Sequence, residues 1–161
     1  MRYEDDNRTL DPILRPESIA VIGASRRPGT IGYQIVDNLI RHGYQGVIYP
    51  VNPKARAIHS IPAYASVKDI PGEVDQAMIV VPKDYVLDVV DECAEKGVKG
   101  VVVISAGFRE VGGAGIELEE KLLEKVKSHG MRLVGPNCMG VLTSLPELSM
   151  NATFAPSMPP K

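Results

Sequence analysis

Residues 18–31 read S-I-A-V-I-G-A-S-R-R-P-G-T-I. A short apolar run passes straight into Gly23, a polar turn and Gly29, and a helix-like pattern follows. A strand, turn and helix start of this kind leaves backbone amides pointing outward. The helix dipole favours an anion there, and glycine lets a ligand come close to the main chain. The stretch therefore predicts a phosphate cradle, and the rest of the chain must say what carries the phosphate.

The 161 residues allow one domain with a real core and no second large one. The net charge is −2, and Arg26-Arg27 is the only basic doublet in a mixed background, which argues against a nucleic-acid surface or a polybasic membrane anchor. No window approaches the roughly 18 apolar residues of a membrane span, and the first residues, M-R-Y-E-D-D-N-R, are no apolar signal core, so a cytoplasmic protein is expected. Cys93 and Cys138 are too few and too far apart for a zinc motif; reduced thiols and no metal are expected. Trp is absent and Phe occurs twice, so the core must be aliphatic, as in a buried parallel sheet.

Apolar runs at 19–22, 46–51, 74–81, 100–104 and 131–134 read as strands. Apolar stripes at helical spacing over 29–42, 84–96 and 114–129 read as helices, closed by Gly43, Gly97 and Gly130. Residues 58–71 read as an irregular link with one extended piece at 61–64 and a helical turn at 66–70. Residues 1–15 are expected to form a lead-in and 16–145 the domain. Residues 146–161, rich in Ser, Pro and Met and without a period, are expected to be a linker toward a further domain. Alternating strands and helices with continuous apolar strands predict a doubly wound α/β fold: a mostly parallel, Rossmann-like sheet with helices on both faces.

In that class ligands bind outside the carboxyl ends of the strands, where strand order reverses. The candidate residues are therefore Gly23, Ser25, Arg26, Arg27, Pro28 and Gly29 after the first strand, and Asn52 and Lys54 after the second. Val81 and Pro82 follow the third, Ile104, Ser105, Ala106 and Gly107 end the fourth, and Asn137 follows the fifth. A dinucleotide site asks for G-x-G-x-x-G and, about 20 residues on, an acidic residue for a ribose hydroxyl. Here the loop is G-A-S-R-R-P-G-T-I-G and the second strand ends in N-P-K, which disfavours an NAD-linked oxidoreductase and suits a phosphate at Lys54. No G-K-S or G-K-T follows the first glycine, so a P-loop is excluded. Read singly, Gly23 and Gly29 serve equally well as turn glycines, and residues 105–108 as a tight turn with Phe108 over the core. The coincidence of a glycine turn and Lys54 at adjacent strand ends favours a ligand. None of the three histidines lies in these loops, so Cys138 has no base beside it, and His42 and His129 read as helix C-terminal cations.

The run L-D-P-I-L-R-P-E-S-I-A-V-I-G-A-S-R-R-P-G-T-I-G, followed by Y-P-V-N-P-K, V-V-P, I-S-A-G-F and R-L-V-G-P-N-C-M-G, resembles the N-terminal CoA-binding domain of ADP-forming (NDP-forming) acyl-CoA synthetases. More distantly it is similar to the alpha subunit of succinyl-CoA synthetase. The resemblance covers nearly the whole chain. It implies that residues 23–29 cradle the phosphates of CoA, with Ser25, Arg26 and Arg27 nearby, and that Lys54 pairs with the 3′-phosphate. It further implies that Val81, Pro82 and the loop from Ile104 to Gly107 flank adenine and pantetheine, and that Asn137 lies near the thiol end. One departure stands out: succinyl-CoA synthetase carries Thr-Glu-Gly where this chain has Ser105-Ala106-Gly107.

The family's phosphorylated histidine lies in a following domain and its nucleotide in an ATP-grasp module. The implied partners are thus CoA or acyl-CoA together with those downstream domains or an ATP-grasp subunit. The chain by itself is expected to bind CoA and to catalyse nothing, as one part of an acid-thiol ligase acting on an acetyl-CoA-like substrate. A free-standing CoA-binding or regulatory protein is the alternative. The acyl group, the purine of the nucleotide and the oligomeric state stay open.

Overall fold

The computed structural model describes residues 9–157. The terminal P-P-K, expected to begin a linker, lies outside the described residues, as does most of the polar start. In chain order the elements are α1 (Asp11–Leu14), β1 (Ser18–Ile22), α2 (Ile31–Arg41), β2 (Val47–Val51), β3 (Ala57–Ile58), β4 (Ile61–Pro62), β5 (Gln76–Ile79), α3 (Lys83–Lys96), β6 (Gly100–Val103), α4 (Ala114–Ser128), β7 (Arg132–Val134), β8 (Gly140–Thr143) and β9 (Met150–Thr153). One 3-10 turn at Val67–Asp69 falls in the irregular link, and another at Arg109–Val111 follows β6.

Five strands form one parallel sheet in the order β2-β1-β5-β6-β7. The doubly wound, Rossmann-like α/β reading is correct. Successive strand residues point to opposite faces, so each buried strand feeds two cores. Ala20, Ile22, Ala77, Ile79, Val101 and Val103 pack under α3 and α4 through Val86, Val90, Cys93, Leu122 and Val126. Ile19, Val21, Met78 and Val102 pack on the other face with Ile35, Val36 and Leu39 of α2. Each fully buried Val, Ile, Leu or Met among them stabilises the fold by about 1.5–3 kcal/mol before entropy is subtracted, and each alanine by less.

The face under α2 has a single crossover helix, and the chain completes it with segments expected to lie outside the domain. Ile13 of α1 is buried there, and the Gln76 carboxamide donates to the carbonyls of Pro12 and Ile13. The expected linker after residue 145 instead returns as β9, antiparallel to β8, and buries Met150 and Ala152 completely. Its M-N-A-T sequence hides this role, because Asn151 and Thr153 are buried as well. They are satisfied locally: Thr153 Oγ1 donates to Asn151 Oδ1 at 2.6 Å, and the Asn38 amide of α2 donates to the carbonyls of Thr153 and Ala155 at 2.8 Å each. The packed unit therefore runs past 145, through β9.

Candidate functional site

β1 has β2 on one side and β5 on the other, so strand order reverses at β1, and in sheets of this class ligands bind at the carboxyl ends of the strands beside such a reversal. Gly23 continues the β1–β2 ladder by donating to Val51 O at 3.1 Å, then turns with φ +97°. A Cβ there would lie 2.9 Å from the carbonyl oxygen of Val80, so only glycine lets the loop descend onto β5. Ser25 Oγ accepts from the amide of Arg27 at 3.0 Å, and Thr30 donates through its hydroxyl to Arg27 O at 2.8 Å while capping α2 through the amide of Tyr33. Gly29 has φ +85° with open space around it, so conformation alone calls for glycine. Arg26, Arg27, Pro28 and Gly29 are exposed at the mouth, above the N-terminus of α2 and its unpaired amides.

The loop after β2 is bound to the loop after β1 by one side chain. The Asn52 amide donates to Ala24 O at 2.8 Å, and its Oδ1 accepts the amide of Lys54 at 2.8 Å. Asn52 is fixed from behind as well, since its own amide donates to Tyr64 O. Lys54 is exposed. Residues 23–30 and 52–56 hold Arg26, Arg27, Lys54 and Arg56 and no carboxylate, and no side chain among the described residues pairs with any of the four.

The remaining loops join the same edge. Ser105 donates through its hydroxyl to Val81 O, and Ser105 O accepts from the amide of Asn137 at 3.0 Å. Gly135-Pro136 is cis, Asn137 has φ +52° and is exposed, and Cys138 donates to Val103 O at 3.3 Å. Burial raises the Cys138 thiol above its ordinary value, against the opposing effect of nearby backbone donors. Ile104 is only 5% exposed, its side chain in the core beneath α2, so it offers main chain to a ligand and nothing more. Phe108 is fully buried, as the tight-turn reading of residues 105–108 required. Pro82 precedes α3 at its N-cap, and Pro82 and Ala106 are exposed.

The sequence reading missed three contributors. Gly32, in the first turn of α2, packs so tightly that a Cβ would sit 2.0 Å from Gly23 O; the G-T-I-G spacing was its signal. Arg56 adds a fourth cation. Glu110 folds back so that the amides of Gly107 and Phe108 donate to its carboxylate, which therefore stays below the ordinary carboxylate range. Those two amides are consequently engaged by the chain itself. The histidines stand apart from the edge chemistry. His42 and His129 cap α2 and α4, and His59, in the β3–β4 turn with φ +50°, faces the Tyr33 ring at 4.6 Å. No helix among the described residues is long and apolar enough to cross a membrane.

Comparison with known proteins bears on the fold and the family. The chain is 48% identical over 153 residues to the alpha subunit of acetate–CoA ligase [ADP-forming] I of Pyrococcus furiosus, a match covering 92% of this chain and 33% of that subunit. The solved structure of the dinucleotide forming acetyl-coenzyme A synthetase 1 of Ca. Korarchaeum cryptofilum, in complex with phosphate and ADP, matches at 46% identity and a TM-score of 0.88 over 94% of this chain and 32% of that one. A hypothetical protein from Pyrococcus horikoshii OT3 matches at 26% identity and a TM-score of 0.64 over 84% of this chain and 88% of that one. The chain thus spans about a third of the length of the first two. The family model of the CoA binding domain matches residues 17–144, and the chain belongs to that family.

Proposed function

We propose that this chain holds CoA along the carboxyl edge of its sheet, with the diphosphate over residues 23–29 and the 3′-phosphate at Lys54. The observation that carries the reading is the set of four exposed cations, without side-chain partners among the described residues, at the ends of the adjacent strands β1 and β2, in loops that contain no carboxylate. The fit is also steric: Gly23 and Gly32 draw the loop against β5 and α2, as a main chain must lie to meet a phosphate closely. A nicotinamide dinucleotide fits poorly, because the end of β2 offers an engaged carboxamide where a ribose hydroxyl needs a carboxylate. Adenine and pantetheine run past Val81, Pro82 and the 104–107 main chain, and the thiol end lies toward Asn137. That path crosses the sheet from β2 to β6, on the order of 15 Å, which suits an extended ligand.

In the whole protein we read this domain as the CoA-holding part of a cytoplasmic ADP-forming acyl-CoA synthetase acting on an acetate-like acid. Acyl-CoA cleavage is coupled there to ADP phosphorylation through acyl-phosphate and phosphohistidine intermediates, with histidine and nucleotide supplied by further domains or an ATP-grasp subunit. A second reading, a free-standing CoA-binding protein without turnover, is favoured by the Pyrococcus horikoshii chain, which this one covers at 88% of its length. Calorimetric titration with CoA, 3′-dephospho-CoA and NAD in parallel tests the ligand. CoA should bind tightest; tight NAD binding without a CoA signal would overturn the reading. Turnover with the full-length gene product, assayed as ATP formed from acyl-CoA, ADP and phosphate, separates the two settings.

A further inference from the structure

The two loops proposed to meet CoA phosphates leave adjacent strands, and the β1–β2 ladder, which ends at Gly23 N to Val51 O, sets the spacing of their bases only. Beyond the ladder one carboxamide joins them. Asn52 donates to Ala24 O in the first loop and accepts the amide of Lys54 in the second, both at 2.8 Å, while its own backbone amide is held by Tyr64 O. Its side chain is thus engaged at both ends by the chain, and Pro53, with φ restricted by its ring, stiffens the step to Lys54. The Asx turn at Asn52–Lys54 determines where the lysine leaves the main chain, and the bond to Ala24 ties that departure point to the cradle.

Resting on the CoA reading above, we infer that Asn52 is a positioning residue: it places Lys54 at the distance from residues 23–29 that separates the 3′-phosphate of CoA from its diphosphate. Asn52 therefore sets the preference for CoA over its dephospho form by acting through Lys54, and makes no ligand contact of its own. The two kinds of role differ in what they predict. A residue that merely supports the fold changes affinity for both ligands alike. A residue that places Lys54 changes the ratio between them.

Calorimetric titration of the chain and of Asn52→Ala, Asn52→Ser, Lys54→Ala and the Asn52→Ala/Lys54→Ala double variant, each with CoA and with 3′-dephospho-CoA, tests this. The Ser variant keeps a neutral acceptor for the Lys54 amide while its shorter side chain loses the bond to Ala24, so it covers the case in which the Ala variant does not fold. The preference for CoA should fall about tenfold in either Asn52 variant, the equivalent of one well-placed charge-assisted contact. In the Lys54→Ala background the Asn52 substitution should leave the remaining preference unchanged. An unchanged preference in folded Asn52 variants, or an equal drop with and without Lys54, would overturn the inference while leaving CoA binding intact. A parent chain that binds both ligands equally would overturn the role of Lys54 itself, and the inference with it.

Discussion

A Cβ on Gly32 would lie 2.0 Å from the carbonyl oxygen of Gly23. The first turn of α2 thus rests directly on the turn that ends β1, backbone against backbone, with no side chain able to yield. Gly32→Ala must push helix and loop apart, and overpacking of this kind costs about 1–3 kcal/mol. Urea unfolding should show a lower midpoint at unchanged slope, and CoA affinity should fall with it. Stability equal to the parent would contradict the contact.

Lys54→Ala should weaken CoA by about 1–3 kcal/mol and leave 3′-dephospho-CoA little changed, since only CoA carries the charge that the lysine meets. Arg26→Ala should instead weaken both ligands together, because both carry the diphosphate. Equal losses for the two ligands in Lys54→Ala would refute its assignment. Because Lys54 and Arg26 are exposed, the CoA affinity of the parent should also decline as salt is raised.

Met150 is fully buried against the α2 face, although it lies beyond the expected domain end. Met150→Ala should destabilise the chain by about 2–5 kcal/mol, the range for emptying a core site. Leu142, on the partner strand β8 but 36% exposed, should cost far less when changed to Ala. Thermal unfolding of the two variants checks this. Matching midpoints would mean that β9 is not part of the cooperative unit.

Burial raises the Cys93 thiol to about 12, and burial likewise raises the Tyr44 phenol, whose hydroxyl donates to Pro16 O at 2.8 Å. For an acid whose folded value lies above its unfolded value, stability is complete below the unfolded value and is lost as pH rises toward the folded one. The chain should therefore lose stability from about pH 9 upward, by at most about 1.4 kcal/mol per pH unit for each group. Cys93→Ala should flatten that decline. A thiol reagent should label the half-buried Cys138 in the native state and Cys93 only on unfolding; rapid double labelling of folded protein would refute the burial.

The strands and crossover helices were legible because each carries its period in its own residues. G-V-V-V leaves no polar face, and the stripes of α2, α3 and α4 repeat at helical spacing. Some boundaries moved: β5 covers Gln76–Ile79 where 74–81 was read, and α2 starts at Ile31, after its Thr30 cap. Ladder bonding and caps decide such limits, and apolarity does not report them. The glycine turn between strand and helix, with two arginines in it, was legible for the same local reason.

Residue order alone determined the fold class and the residues worth asking about. Tertiary structure decided which of them act together. M-N-A-T carries no period, yet β9 is buried because the α2 face had one helix too few to cover it and Asn38 could satisfy its carbonyls. Glu110 turned out to fill the amides of Gly107 and Phe108, and Asn52 to join two loops that lie far apart along the chain. Periodicity and turn chemistry are properties of neighbours in sequence. The pairing of a carboxamide with a carbonyl 28 residues away exists only once β1 and β2 lie side by side.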